Sequence, residues 1–541
     1  MDSLLLWLVI GPLLGALFCL PFAEKISKYI TLGCTLVGFV LSIFLYFVFS
    51  PENSGMQFQW SSVWIASFQI RFALGVDGLS LLLVLLTKLM VPIAVLAHWR
   101  ETRHLKGLMM NLLLLDTAMT GTFLATDIFL FYVFWELVLI PMVFIIGIWG
   151  SAERIYAALK FFLYTFAGSV LMLVAIFWIF SAFASQHGYY SADISSFYGL
   201  SWSKDVRFLG LTAQELVFLA FTIAFAIKVP LFPFHTWLPD AHVQAPTGGS
   251  ILLAAVLLKM GTYGLLRFSV PICPEAFHSF SSMLSYLSIG GILYGAWVAF
   301  QQTDFKKLVA YSSVSHMGFV VLGICAMNTE SLRGAVLQMV NHGLSTGALF
   351  FLVGALYERR HSRKFADFGG LAKAVPRYAF FLTFVSCASM AVPGLNGFVG
   401  EFLILLGTFA SDPWLAGIAA TGVIFGAAYT LIMLRQVLFG PITSEENKLL
   451  PDLRRHEMIA LVPLCLVMIW IGIYPQPFLK YGVPFPAKKD SPTALAHQPF
   501  WIEEWGKVSQ GWSKVSHCEE RSRSRHCEER SDEAISPWSS P

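Results

Sequence analysis

Residues 221–235 read F-T-I-A-F-A-I-K-V-P-L-F-P-F-H, an apolar run that carries a single lysine, Lys228, and then meets Pro230 and Pro233 before ending at His235. The run begins near residue 213, which makes it long enough to enter a bilayer as a helix. Proline lacks an amide hydrogen and its ring clashes one turn back, so the helix must break, and the carbonyls of Ala226 and Val229 are expected to lose their partners. Free carbonyls and a lysine at membrane depth survive only beside protein or water. The break therefore belongs to an interior with work to do. Lys228 closes the first half-helix, where the negative end of the helix dipole favours an ammonium.

Working outward, the same composition holds along most of the chain. Of 541 residues, 56% are hydrophobic and 13% charged, with a mean hydropathy of +0.67, whereas a soluble domain carries roughly 25% charged residues. Apolar stretches long enough to cross about 30 Å of hydrocarbon as helices recur from Leu4 to Tyr474. They predict an all-α polytopic membrane protein with about fourteen transmembrane helices, two of them broken. The spans fall at 4–22, 29–49, 78–97, 107–125, 128–148, 155–184 and 213–234, then at 248–269, 279–300, 307–327, 332–357, 376–410, 414–439 and 458–475. The first stretch has no basic region ahead of it and no small-residue cleavage site after it, so a retained span is expected rather than a signal peptide.

Loops after odd-numbered spans hold most of the Lys and Arg, among them Arg100, Arg103, Lys106, Lys306, Lys307, Arg359 and Arg360. That bias places those loops inside and both termini outside, on the periplasmic side of a bacterial inner membrane. Trp7, Trp64, Trp99, Trp149, Trp202, Trp237 and Trp414 fall mostly near span ends, as an interfacial belt does. Residues 1–106 hold the first three spans with an external hairpin at Phe58–Val76, and Gly188–Phe208 is polar enough for a loop. Residues 107–269 hold spans four to eight, 279–440 spans nine to thirteen, and 441–485 the last one. The polar stretch 486–541, with H-C-E-E-R-S at His517–Ser522 and again at His526–Ser531, has the composition of a disordered tail.

Several function classes are disfavoured. A net charge of +3 without a basic patch interleaved with aromatics gives no sign of nucleic-acid binding. The eight cysteines are scattered and no C-x-x-C occurs, so no iron–sulfur or structural zinc site is expected. There is no G-x-G-x-x-G turn and no G-x-x-x-x-G-K-[ST] loop. The chain is expected to hold no cofactor or metal, with its partners being the lipid bilayer and apolar neighbours.

What remains is a set of charges in the wrong solvent. A charge at the bilayer centre costs about 2.5 to 3.5 kcal/mol. Besides Lys228, Glu136 lies in F-Y-V-F-W-E-L-V-L-I-P-M and Lys259 in L-A-A-V-L-L-K-M-G, each flanked by apolar residues for two turns or more. Glu401 follows a second break, A-V-P-G-L-N-G-F-V-G-E at Ala391–Glu401, and is expected in the first turn of the restarted half-helix, where free amides favour a carboxylate. Two helices broken at V-P with an ionisable group beside each break resemble the discontinuous helices of transporters; a pair of plain proline kinks is the bland alternative. His235, His316 and His342 lie in or beside the same spans, with Ser312, Ser313, Ser315, Ser345 and Thr346 able to anchor waters between them, and so suit a proton relay. Lys160 lies less than two turns into its span, where snorkelling and function are equally open. Lys88, in L-L-V-L-L-T-K-L-M-V-P, is deep and has no partner visible in the sequence.

Pairing supplies the physics of a pump. Burial disfavours a charged amine and a neighbouring carboxylate restores it. At an effective dielectric of about 20, one pair at about 4 Å is worth about 4 kcal/mol. Movement of Glu136 toward or away from Lys228 would thus load or release a proton.

The stretch W-L-P-D-A-H-V-Q-A-P-T-G-G-S-I-L-L-A-A-V-L-L-K-M-G-T-Y-G-L-L-R, Trp237–Arg267, resembles a signature of the antiporter-like subunits of respiratory complex I, and D-F-K-K-L-V-A-Y-S-S-V-S-H-M-G, Asp304–Gly318, resembles a second. With Glu136-Leu137 and Lys228-Val229-Pro230, the likeness extends to about residue 485. It implies two inverted five-helix repeats, spans four to eight and nine to thirteen, each with a broken helix. It also implies that Glu136 and Lys228 form a modulating pair, that Lys259, His316 and His342 connect it through the membrane centre, and that Glu401 faces the exit. A glutamate at 401 sets the chain apart from the family's two other large antiporter-like chains, which usually carry Lys or Asp/Lys there. NADH oxidation with FMN and iron–sulfur clusters, and quinone reduction, would take place in partner subunits, and the other antiporter-like chains would be neighbours. From residues alone, two alternatives remain open: a subunit of a multi-component Na⁺/H⁺ antiporter, and a non-conducting membrane scaffold.

Overall fold

Six of the helices begin where a short polar side chain takes up the free amides of a first helical turn. Asp77 accepts from the Ser80 amide, Asp127 from Phe129 and Leu130, Asp304 from Lys307, and Asp412 from Trp414 and Leu415. Thr212 and Glu215 form a reciprocal capping box, as do Asn328 and Ser331. In the computed structural model, which describes residues 3–53, 55–203, 207–442 and 444–481, these six caps each open one of a series of helices. They are α1 Leu4–Phe18, α2 Glu24–Val48, α3 Gly78–Ala97, α4 Leu105–Leu124, α5 Ile128–Trp149 and α6 Arg154–His187. There follow α7 Ala213–Lys228, α8 Trp237–Gln244, α9 Thr247–Ile272, α10 Pro274–Phe300 and α11 Phe305–Cys325. The last are α12 Thr329–Arg360, α13 Pro376–Ser389, α14 Asn396–Ser411, α15 Pro413–Leu438 and α16 Arg455–Ile473. The stretch expected to form a polar tail lies outside the described residues.

Among the described residues, eleven helices are long and apolar enough to cross a membrane, and α1 and α14 are shorter apolar helices. The protein is an all-α polytopic membrane protein. The hairpin expected at Phe58–Val76 is present as β1 Gln57–Ile65 and β2 Ile70–Val76, antiparallel, with Gln69 in the left-handed region at the turn. Asp127 ties it down by accepting from the Arg71 amide. The polar segment after α6 forms a 3-10 turn at Ile194–Gly199.

Burial orders the bundle from the inside out. The most apolar windows of α9 and α12 are 100% buried and that of α11 is 94% buried, against 28% for α2, so the first three form the centre and α2 the rim. α12 packs on α14, α11, α9 and α3, and α9 packs on α7. The long exposed apolar faces of α2, α6 and α15 are what lipid or neighbouring subunits would cover.

Both breaks are present, and they satisfy their backbones differently from the expectation. After Lys228 the chain turns through Val229–Thr236, and the carbonyl of Ala226 is not left free: the Leu231 amide donates to it at 2.8 Å. The indole of Trp237 donates to Ile227 at 2.8 Å. At the second break Ala391 and Gly394 take left-handed conformations, and α14 restarts at Asn396. Glu401 is consequently in the second turn, not the first, beyond the free amides whose field fades within one turn. Its partners are side chains.

Candidate functional site

The centre of the bundle holds a line of ionisable groups, each delivered by a different helix. α9 is interrupted by two π-helical stretches, Leu253–Leu257 and Leu265–Ser269, with Lys259 between them. Such wide turns recur at functional positions in helices. The fully buried Lys259 Nζ donates to the Ala254 carbonyl at 2.5 Å and meets His342 Nδ1 on α12 at 2.6 Å. The His342 ring lies 5.7 Å, centroid to centroid, from that of His316 on α11. His316 Nδ1 in turn meets Glu401 Oε1 on α14 at 2.8 Å.

In each histidine one ring nitrogen is thus committed to an acid or an amine, and Nε2 has no protein hydrogen-bond partner. Those two nitrogens are the ones available to pass a proton between the rings. Glu401 Oε1 also accepts from Gln338 Nε2 at 2.9 Å, and the Asn341 amide beside it donates to the Asn396 carbonyl at the restart of α14.

Close backbone approach makes this convergence possible. A Cβ on Gly400 would lie 2.3 Å from Gln338 Oε1, so glycine lets α14 press against α12 beside Glu401. Gly261, two residues beyond Lys259, does the same for α7: a Cβ there would lie 2.7 Å from the Phe225 carbonyl oxygen and 2.8 Å from the Val229 amide. The turns carrying Lys228 and Lys259 therefore touch backbone to backbone.

Glu136 and Lys228 stand next to that line. Lys228, 2% exposed, places Nζ 4.9 Å from the centre of the Trp135 ring, a cation–π contact. Glu136, the next residue on α5, is partly buried beside the Ser169 side chain and acts on Lys228 electrostatically, without closing a salt bridge among the described residues.

His235 and Lys160 lie apart from that line. His235 is buried in the break with its ring 5.0 Å from that of Tyr294, and Nδ1 has no protein partner. Lys160 pairs with Asp240 of α8 at 2.6 Å, both partly exposed, next to a 2.7 Å hydroxyl contact between Tyr164 and Thr236.

Sequence reasoning missed four participants. His242 on α8 is fully buried, stacked on Phe350 at 4.5 Å and 3°, and neither ring nitrogen has a protein partner. Its signal, a histidine in W-L-P-D-A-H, was visible but read only as part of a motif. Gln338 and Asp240 carry no signal of their own. Asp116 on α4 supplies the partner that Lys88 lacked, at 2.8 Å with both side chains fully buried. Among the described residues, no group of three or more His, Cys, Asp or Glu is placed to hold a metal.

Comparisons with known proteins point to one family. Residues 125–426 match the family described as NADH:quinone oxidoreductase/Mrp antiporter, transmembrane. The chain is 46% identical over 462 residues to NADH-quinone oxidoreductase subunit M of Rhodobacter capsulatus, covering 84% of this chain and 89% of the relative. It is 40% identical over 488 residues to NADH-ubiquinone oxidoreductase chain 4 of Prototheca wickerhamii, covering 86% and 91%. A chain of respiratory complex I from Thermus thermophilus with bound NADH superposes with a TM-score of 0.79 at 32% identity, covering 88% of this chain and 97% of that one. With so much of both lengths matched, the chain belongs to the antiporter-like transmembrane family of NADH:quinone oxidoreductase, in its subunit M branch.

Proposed function

We propose that this membrane-embedded, proton-translocating subunit of NADH:quinone oxidoreductase conducts through Glu136, Lys228, Lys259, His342, His316 and Glu401. The single observation that carries the path is the run Lys259–His342–His316–Glu401, in which the two rings lie 5.7 Å apart and each keeps Nε2 without a protein partner. Lys228 and Glu136 act on it from the side. Their separation changes the local field by several kcal/mol at an effective dielectric of about 20, which sets when Lys259 gives up its proton. Lys160, Asp240, Thr236 and His235 line an uptake mouth on the inner side, and His242 stands between that side and Lys259.

One broken helix within residues 107–269 and one within 279–440 support reading these stretches as two inverted repeats, and about fourteen crossings would put both termini outside a bacterial inner membrane. The two other antiporter-like chains of the complex are the natural neighbours, and the redox cofactors belong to other subunits. The subunit M likeness favours this reading over the sodium antiporter, and a non-conducting scaffold gives no reason for the buried line.

The test is proton uptake by the whole complex in proteoliposomes. Lys228→Ala and Glu136→Ala are expected to lower quinone-linked NADH oxidation and pumping together by about tenfold, leaving NADH oxidation by an artificial acceptor unchanged. Normal pumping in correctly assembled variants would leave the scaffold reading standing. Gly261→Val, which forces α7 and α9 apart, is expected to cost about tenfold in pumping without removing any titratable group. Unaltered pumping there would mean the contact does not position the lysines.

A further inference from the structure

Outside the conducting line lies a fully buried ion pair. Lys88 of α3 and Asp116 of α4 meet at 2.8 Å, both 0% exposed. The surroundings account for almost every polar atom. Lys88 Nζ also donates to the Leu8 carbonyl of α1 at 2.8 Å, and this is the carbonyl that Pro12, lacking an amide hydrogen, leaves free one turn later. Asp116 Oδ1 accepts from Thr120 at 3.1 Å, and Oδ2 has no protein partner. α2 crosses the pair at Gly38, where a Cβ would lie 3.4 Å from Lys88 Cδ. One ammonium thus joins three helices.

The opposite face of α3 points at the relay. Leu86 and Met90, two residues to either side of Lys88, fill notches on α12: a Cβ on Gly343 would meet Leu86 Cδ2 at 2.7 Å, and one on Gly347 would meet Met90 Cε at 2.4 Å. Gly343 follows His342 directly. The same two apolar side chains lie on the face of α3 turned toward the relay.

We infer that Lys88 and Asp116 are positioning residues: the pair fastens α3 to α4 and α1, so that Leu86 and Met90 hold α12 with His342 at Lys259, and it carries no proton of its own. The inference rests on the relay reading above, but the two can fail separately, because Lys259→Ala tests the relay and leaves this pair untouched.

Removing one member of a buried ion pair strands a charge, whereas replacing both by apolar residues of similar size is nearly neutral. The experiment compares Lys88→Met, Asp116→Asn and the triple variant Pro12→Ala/Lys88→Met/Asp116→Leu in the whole complex. In the triple variant the new amide at position 12 donates to the Leu8 carbonyl. Each single variant is expected to reduce the amount of intact complex in the membrane at least about tenfold and, in the complex that does assemble, to lower the number of protons moved per electron. The triple variant is expected to restore both. Singles equal to wild type, a triple variant that stays unassembled, or one that assembles fully but moves fewer protons per electron would each overturn the inference. The last outcome would make the pair a proton carrier.

Discussion

Lys259→Ala is expected to abolish coupled turnover, with pumping and quinone-linked NADH oxidation falling together by about a hundredfold or more while oxidation by an artificial acceptor is kept. Lys259 joins the Ala254 carbonyl in the π-helical turn to the Nδ1 of His342, at 2.5 Å and 2.6 Å. Alanine leaves a gap across which His342 has no donor, and a positioned proton carrier is worth typically 10²–10⁴-fold in rate. Folding should suffer little, because removing an amine that has no counter-ion in contact also removes the cost of burying it. Lys259→Arg keeps a charge but not the reach of a titrating amine, since guanidinium does not deprotonate in proteins, and it should be nearly as inactive. A Lys259→Arg complex that pumps normally would show that the residue supplies only charge and never gives up its proton.

Glu401→Gln should produce the second largest loss, about ten- to a hundredfold in pumping. The substitution preserves size and can still bond to Gln338, but it removes the acid that His316 faces at 2.8 Å. Glu401→Asp should fall between the two, because its carboxylate sits one methylene short of His316. Measuring protons per electron separates the exit from the rest of the path: Glu401→Gln should lower this ratio in complex that is fully assembled. An unchanged ratio would place the exit elsewhere and reduce Glu401 to a structural partner of His316.

The parts legible in the sequence were those written in local pattern. Long apolar runs gave the helices, Pro230, Pro233 and Pro393 gave the breaks, and isolated charges within apolar runs gave Glu136, Lys228, Lys259 and Glu401. The illegible parts depend on which helices touch. Asp116 reads as one acid in a moderately polar span, and only the packing of α3 on α4 makes it the partner of Lys88, 28 positions away. Gln338 is an unremarked amide until Gly400 lets α14 approach it. Glu401 was expected to draw on a helix terminus, but the left-handed turn at Ala391 and Gly394 lets the helix restart at Asn396, five residues before Glu401. The π-helical turns around Lys259 leave no mark in the periodicity, because α9 is buried on every face and shows no one-sided pattern.

Lys259, His342 and His316 each lie near the middle of their own span, and Glu401 is level with them by direct contact. Charge handed along this row travels parallel to the membrane plane. A unit charge crossing the full electrical drop does work of about 2.3 kcal/mol per 100 mV, but one moving sideways at constant depth does almost none. The central hops should therefore proceed at the same speed in an energised and a de-energised membrane, and the back-pressure of the voltage should be felt only on the climb from the inner surface and the final step out.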